Sequence, residues 1–101
     1  MSVIAEISIF PVDKGISLSP YVARVIEHIR QSGLDYELGP MGTCIEGNWQ
    51  EILTIIDQCF QEVHHDSRRV YMTLKIDYSK NREKGLQEKI SSVKKRLSSK
   101  A

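Results

Sequence analysis

The chain has 101 residues, of which 41% are hydrophobic and 27% charged, a size and balance that suit one globular domain able to bury a core without metal or disulfide staples. Lys and Arg number 14 against 13 Asp and Glu, a net charge of +1, so the basic excess of a dedicated nucleic-acid binder is missing. No apolar run approaches the roughly 20 residues that cross a bilayer. The opening MSVIAEISIF has no basic stretch before its apolar residues, so the expectation is a cytoplasmic protein with no membrane partner.

Taken in chain order, Val3, Ala5, Ile7 and Ile9 alternate with Ile4, Glu6, Ser8 and Phe10, the period of two of a strand whose first set faces a core. Pro11 to Ser19 reads as a loop. Ser19-Pro20 opens a helix, serine as N-cap and proline at the first turn. Val22, Val25, Ile26 and Ile29 follow at helical spacing, and Gly33 closes the helix. The segment LDYELGPMGTCIEG over 34–47 predicts strands near 35–39 and 42–46 about a bend at Gly39-Pro40, either as a hairpin or as one kinked ribbon. Asn48 caps a helix over 49–64 striped by Ile52, Leu53, Ile56, Cys59, Phe60 and Val63. After a break at Asp66-Ser67, residues Val70 to Tyr78 alternate as the clearest strand of the chain. A last helix over about 83–98 carries Leu86, Ile90, Val93 and Leu97, with Lys94, Lys95 and Arg96 near its end.

The order β-α-β-β-α-β-α is the ferredoxin-like α+β sandwich with a four-stranded antiparallel sheet and one additional C-terminal helix, in a single domain spanning 1–101. Two helices cover one sheet face. Ile4, Phe10 and Tyr71 are expected on the other, and an uncovered apolar face predicts a homo-oligomer, dimer or dimer of dimers.

The segment Gly42-Thr43-Cys44-Ile45-Glu46-Gly47-Asn48-Trp49 brings a hydroxyl, a carboxylate and an indole together where a strand hands over to a helix. Glu46 either supports that helix start or serves a ligand, and Trp49 is either core or a ligand wall. Ser19 has its capping job. Ser17 has none, and free N–H groups at this helix start also suit an anion. His64-His65-Asp66 does not spell a metal site, because adjacent helical histidines diverge by about 100° and no third ligand at zinc spacing follows. Cys44 and Cys59 lack a neighbouring base and read as inert thiols. Arg68 and Arg69 suit a solvated strand end or an anion, and Lys89, Lys94, Lys95 and Lys100 the wet face of the last helix.

The stretches Ser17-Leu18-Ser19-Pro20-Tyr21-Val22-Ala23, Gly42 to Trp49 and Arg69 to Asp77 resemble, in order and spacing, the MTH1187/YkoF-like thiamine-binding family. The resemblance implies the same sandwich, assembled into dimers and tetramers through sheets and the last helix. It implies a binding protein for thiamine or its hydroxymethylpyrimidine moiety, with no required cofactor and no enzymatic activity. On that pattern Glu46 would take the ring nitrogen and exocyclic amine of an aminopyrimidine. Trp49 or Tyr36 would lie near the rings, and Thr43, Ser17 and Ser19 would hold the polar edge. The family's arginine close behind the Asp77 position is absent; its role would fall to Lys80 or Arg82, or be lost. Two other readings stand beside this one. The first is a ligand-free structural or regulatory oligomer. The second is an RNA binder stacking bases on its sheet, which the near-neutral charge disfavours.

Overall fold

The protein, as a computed structural model, is described over residues 2–99. It runs β1 (Ser2–Pro11), α1 (Ser19–Gln31), β2 (Asp35–Leu38), β3 (Thr43–Gly47), α2 (Trp49–His64), β4 (Val70–Ser79) and α3 (Gly85–Ser99). The strands form one antiparallel sheet in the order β2-β3-β1-β4. This is the expected ferredoxin-like topology with α3 appended. Val3, Ala5, Ile7 and Ile9 of β1 are buried with Ile45 of β3 against Val25 and Ile29 of α1 and Ile52, Ile55, Cys59 and Val63 of α2. Period two on the strand and 3.6 on the helices therefore meet in one core.

Local signals set most element ends. Asn48 caps α2 by accepting from the Glu51 N–H at 2.8 Å, while the Glu51 carboxylate accepts the Asn48 N–H at 2.9 Å. This reciprocal pair satisfies two otherwise orphaned donors. Gly33 closes α1 at φ 76°, a left-handed conformation suited to glycine. The start of α1 differs from the sequence expectation. Leu18 is the cap residue and already lies in the helical region at φ −99° and ψ −11°, with no side-chain cap. Ser19 is thus inside the helix, where its hydroxyl has no N–H to accept. Between β2 and β3 the Gly39 N–H donates to the Gly42 carbonyl at 3.0 Å, so the segment is a hairpin turning at Pro40-Met41. A Cβ on Gly39 would come within 2.6 Å of that carbonyl oxygen, which reserves the position for glycine.

The helices α1 and α2 lie over β1, β2 and β3 and leave β4 at the rim. The β4 residues Met72, Leu74, Ile76 and Tyr78 sit opposite Ile9, Ile7, Ala5 and Val3, on the helix side of the sheet, yet they are 39–53% exposed. On the other face α3 closes over one end, where Ile4 and Leu86 are buried. Ile4 is therefore not part of an uncovered surface as expected; α3 shields it. Phe10 and Tyr71 stack at the opposite end with centroids 5.7 Å apart. Past Ile90, α3 leaves the body, and Val93 and Leu97 are 58% and 66% exposed. Lys100, grouped above with the lysines of this helix, lies outside the described residues.

Candidate functional site

A groove of about 1060 Å³ lies between α1, the loop before it, the β2–β3 turn and the far end of β1. Its walls are apolar, with Ile7, Leu18, Val22, Ile26 and Met41 among them, and its polar side chains are Ser8, Ser19, Thr43 and Glu27. Such a lining, mostly apolar with a few convergent polar groups, is that of a small-molecule site. Thr43 is 4% exposed and lines the groove. Glu27 is the charged member of the lining. Arg30 first, by its hydrogen bonds, holds the Glu27 carboxyl below its ordinary value, and the two side chains form an ion pair that balances the Glu27 charge.

Of the six residues singled out by sequence, the fold brings Ser19 and Thr43 together in this groove and places the others elsewhere. Ser17 is exposed in the loop. Tyr36 packs half-buried against the core. Trp49, in the first turn of α2, is 52% exposed and outside the groove. Glu46 departs most from expectation. It lies three residues along β3 from Thr43, roughly 10 Å away, and on the opposite sheet face.

Glu46 is 6% exposed. Its carboxylate accepts the Ser2 hydroxyl at 2.8 Å, the Gly85 N–H at 2.8 Å and the Leu86 N–H at 3.1 Å. Arg82 Nε stands 3.9 Å away and itself donates to Ser2 Oγ at 2.8 Å. Burial pushes the Glu46 carboxyl up, but the Ser2, Leu86 and Gly85 donors and the Arg82 charge outweigh it and hold the group below its ordinary value. Glu46 is therefore a helix cap, and of α3 rather than of the neighbouring α2. The two oxygens assigned to an aminopyrimidine are spent on Ser2 and α3, and Glu46 does not line this groove. The cation behind Asp77 is Arg82, which donates to the Asp77 carbonyl at 2.8 Å and ties the same corner together.

A second cleft, of about 560 Å³, lies between the α1 C-terminus and the α2 N-terminus. Its His28 and Glu51 are already engaged, by Glu62 at 2.7 Å and by Asn48. Of the thiols, Cys44 donates to the Glu6 carboxylate at 4.0 Å and Cys59 to the Val25 carbonyl at 4.0 Å. Burial, then Glu6 and Glu37, push Cys44 up, and burial pushes Cys59 up to about 12. Of the histidine-rich stretch, His64 stacks on Phe60 and Asp66 pairs with Arg24. The groove is thus the site best equipped for a ligand. Ile16 and the turn Gly39-Pro40-Met41, which also line it, read in sequence only as connections.

Residues 5–94 match the family model described as thiamine-binding protein. The UPF0045 protein MJ1052 of Methanocaldococcus jannaschii is 38% identical over 90% of this chain and 91% of its own. A UPF0045 protein of Methanothermobacter thermautotrophicus is 34% identical over 92% and 97%. The crystal structure of MJ1052 superposes with a TM-score of 0.83, covering 91% of this chain and 95% of that one. A Thermotoga maritima protein provisionally assigned to thiamine biosynthesis or salvage superposes with a TM-score of 0.81 at 28% identity, covering 92% and 99%.

Proposed function

We propose, from the premise that this chain belongs to the thiamine-binding protein family, that it is a non-catalytic cytoplasmic binding protein for thiamine or its hydroxymethylpyrimidine moiety, acting as a homo-oligomer. The observation that carries the reading is the groove against α1: apolar walls for flat rings, the Thr43 and Ser19 hydroxyls for a polar edge, and Glu27, a carboxylate paired with Arg30, as the acidic side chain of the lining toward the cationic thiazolium of thiamine. Support for assembly comes from the exposed apolar row of β4 and the outer half of α3, two unpartnered surfaces on one chain.

Titration calorimetry with thiamine and with hydroxymethylpyrimidine tests the reading. Both ligands are expected to bind. Glu27→Gln should weaken thiamine by about threefold, an exposed charge acting through solvent, and leave the uncharged pyrimidine unaffected. Folded protein that gives no heat with either ligand at millimolar concentration rejects the site and favours the ligand-free oligomer, whose supporting observation is the β4 and α3 surface alone.

A further inference from the structure

The rim of this groove contains an interrupted ladder. The Val12 N–H donates to the Arg69 carbonyl at 2.8 Å. In a regular antiparallel strand the bonding direction alternates residue by residue. The even-numbered residues of β1 therefore bond to β4, and the odd-numbered ones point to β3. The second neighbour agrees: Gly39 bonds to Gly42, which leaves the odd-numbered residues of β3 for β1. The β1–β3 ladder ends at Ile7 opposite Thr43, while β1 continues against β4 as far as Pro11. Ile9 is the next residue whose N–H and C=O face the β3 side. Its partner in register would be Met41, but Met41 is at the hairpin tip and 87% exposed. Ile9 itself is 5% exposed and lines the groove. Its main-chain donor and acceptor have no partner among the described residues. A nearly buried peptide edge left unpaired is costly, and such groups are paired in almost every native protein.

We propose that the N–H and C=O of Ile9 are the recognition edge of the groove, and that they pair with a flat heterocycle carrying an acceptor nitrogen beside an amine, as in a 4-aminopyrimidine. The ring nitrogen accepts the Ile9 N–H and the amine donates to the Ile9 carbonyl, so the ring takes the position that Met41 would hold in a longer ladder. Pro11 argues for a small ring over an added strand. It is the next residue directed to this side and has no N–H, so an extended peptide gains little past Ile9. This inference rests on the groove being the pyrimidine site and replaces Glu46, whose oxygens are spent on α3, as the group that reads the amine.

The test uses the full chain, amide-resolved NMR with hydrogen exchange, and two probes: hydroxymethylpyrimidine and its analogue with a dimethylated amine, which keeps the acceptor and loses the donor. The expected result is a shifted Ile9 amide whose exchange slows on adding hydroxymethylpyrimidine, with the dimethylated analogue binding about tenfold more weakly, the effect of one hydrogen bond left unmade. Binding of hydroxymethylpyrimidine with the Ile9 amide unmoved overturns the inference and leaves the binding function standing. Absence of binding by either probe overturns both. Protection of Ile9 in the free protein that rises with protein concentration assigns the edge to a second copy, and also overturns it.

Discussion

At the scale of single residues, Glu46 is the position where chemistry and architecture were hardest to tell apart. A carboxylate just before a helix start is favoured by free N–H groups, and here the N–H groups belong to Gly85 and Leu86. The geometry leaves little slack. A Cβ on Gly85 would overlap the Arg82 side chain, and Arg82 is itself held by Ser2 and Asp77. Glu46→Gln should therefore lower folding stability by about 1–3 kcal/mol in urea titrations, since an amide turns one acceptor into a donor facing a donor. Acid should act through the same group. Its folded carboxyl is held below the ordinary value of 4.5. The stabilisation is thus complete above that value and is lost as pH falls through the folded one. The Gln variant should show less of this acid loss. Equal acid sensitivity in the two proteins would place the acid-labile group elsewhere.

At the scale of elements, each helix has a different source of definition. The helix α2 is specified locally by the Asn48–Glu51 box, and Asn48→Ala should cost about 1 kcal/mol, read as a lower midpoint in thermal unfolding. An unchanged midpoint would mean that packing of Ile52, Ile55 and Cys59 alone holds its first turn. The helix α1 has no side-chain cap. It is clamped to α2 by Arg24, which reaches Glu62 at 2.8 Å and Asp66 at 3.1 Å, with His28 on the other Glu62 oxygen. These groups are about one-third exposed, so the clamp sets the direction of α1 more than it adds stability. That direction shapes the groove, because Ser19, Val22 and Ile26 form one wall. The helix α3 depends least on a hydrophobic contact of its own; Leu86 and the Glu46 cap anchor its first turn, and the rest extends past the sheet.

For the molecule as a whole, the sheet is covered unevenly. The apolar row Met72, Leu74, Ile76 and Tyr78 and the outer stripe Val93 and Leu97 would stand in water in an isolated chain. If they form the assembly surface, Ile76→Glu and Leu97→Glu should each shift the protein toward monomer in size-exclusion chromatography with light scattering, while the circular dichroism of the core persists. A wild-type protein that is monomeric at tens of micromolar would refute the oligomer. Because Glu46 aims α3, Glu46→Gln is expected to loosen assembly as well, whereas Glu27→Gln, in the groove, should not.

The amino-acid sequence by itself determined the element order, most core positions and most element ends, although Leu53 of the stripe read for α2 is 39% exposed and Ile55, outside that stripe, is buried. Each of those follows from residues a few positions apart: period two in Val3 to Ile9, helical spacing in Ile52 to Val63, Asn48 before its helix, Gly33 after another. It also carried the family, through motifs that run along the chain. Tertiary structure decided everything that joins distant segments. Glu46 could be assigned its partners only once the chain had folded back to bring Gly85 and Leu86, 39 and 40 residues away, onto the sheet. Thr43 and Ser19 shared a site only after α1 settled over the hairpin. The open edge at Ile9 exists only because the β2–β3 turn ends the ladder one pair short. A hydrogen bond's absence is a property of the whole arrangement and has no signature in any local run of residues.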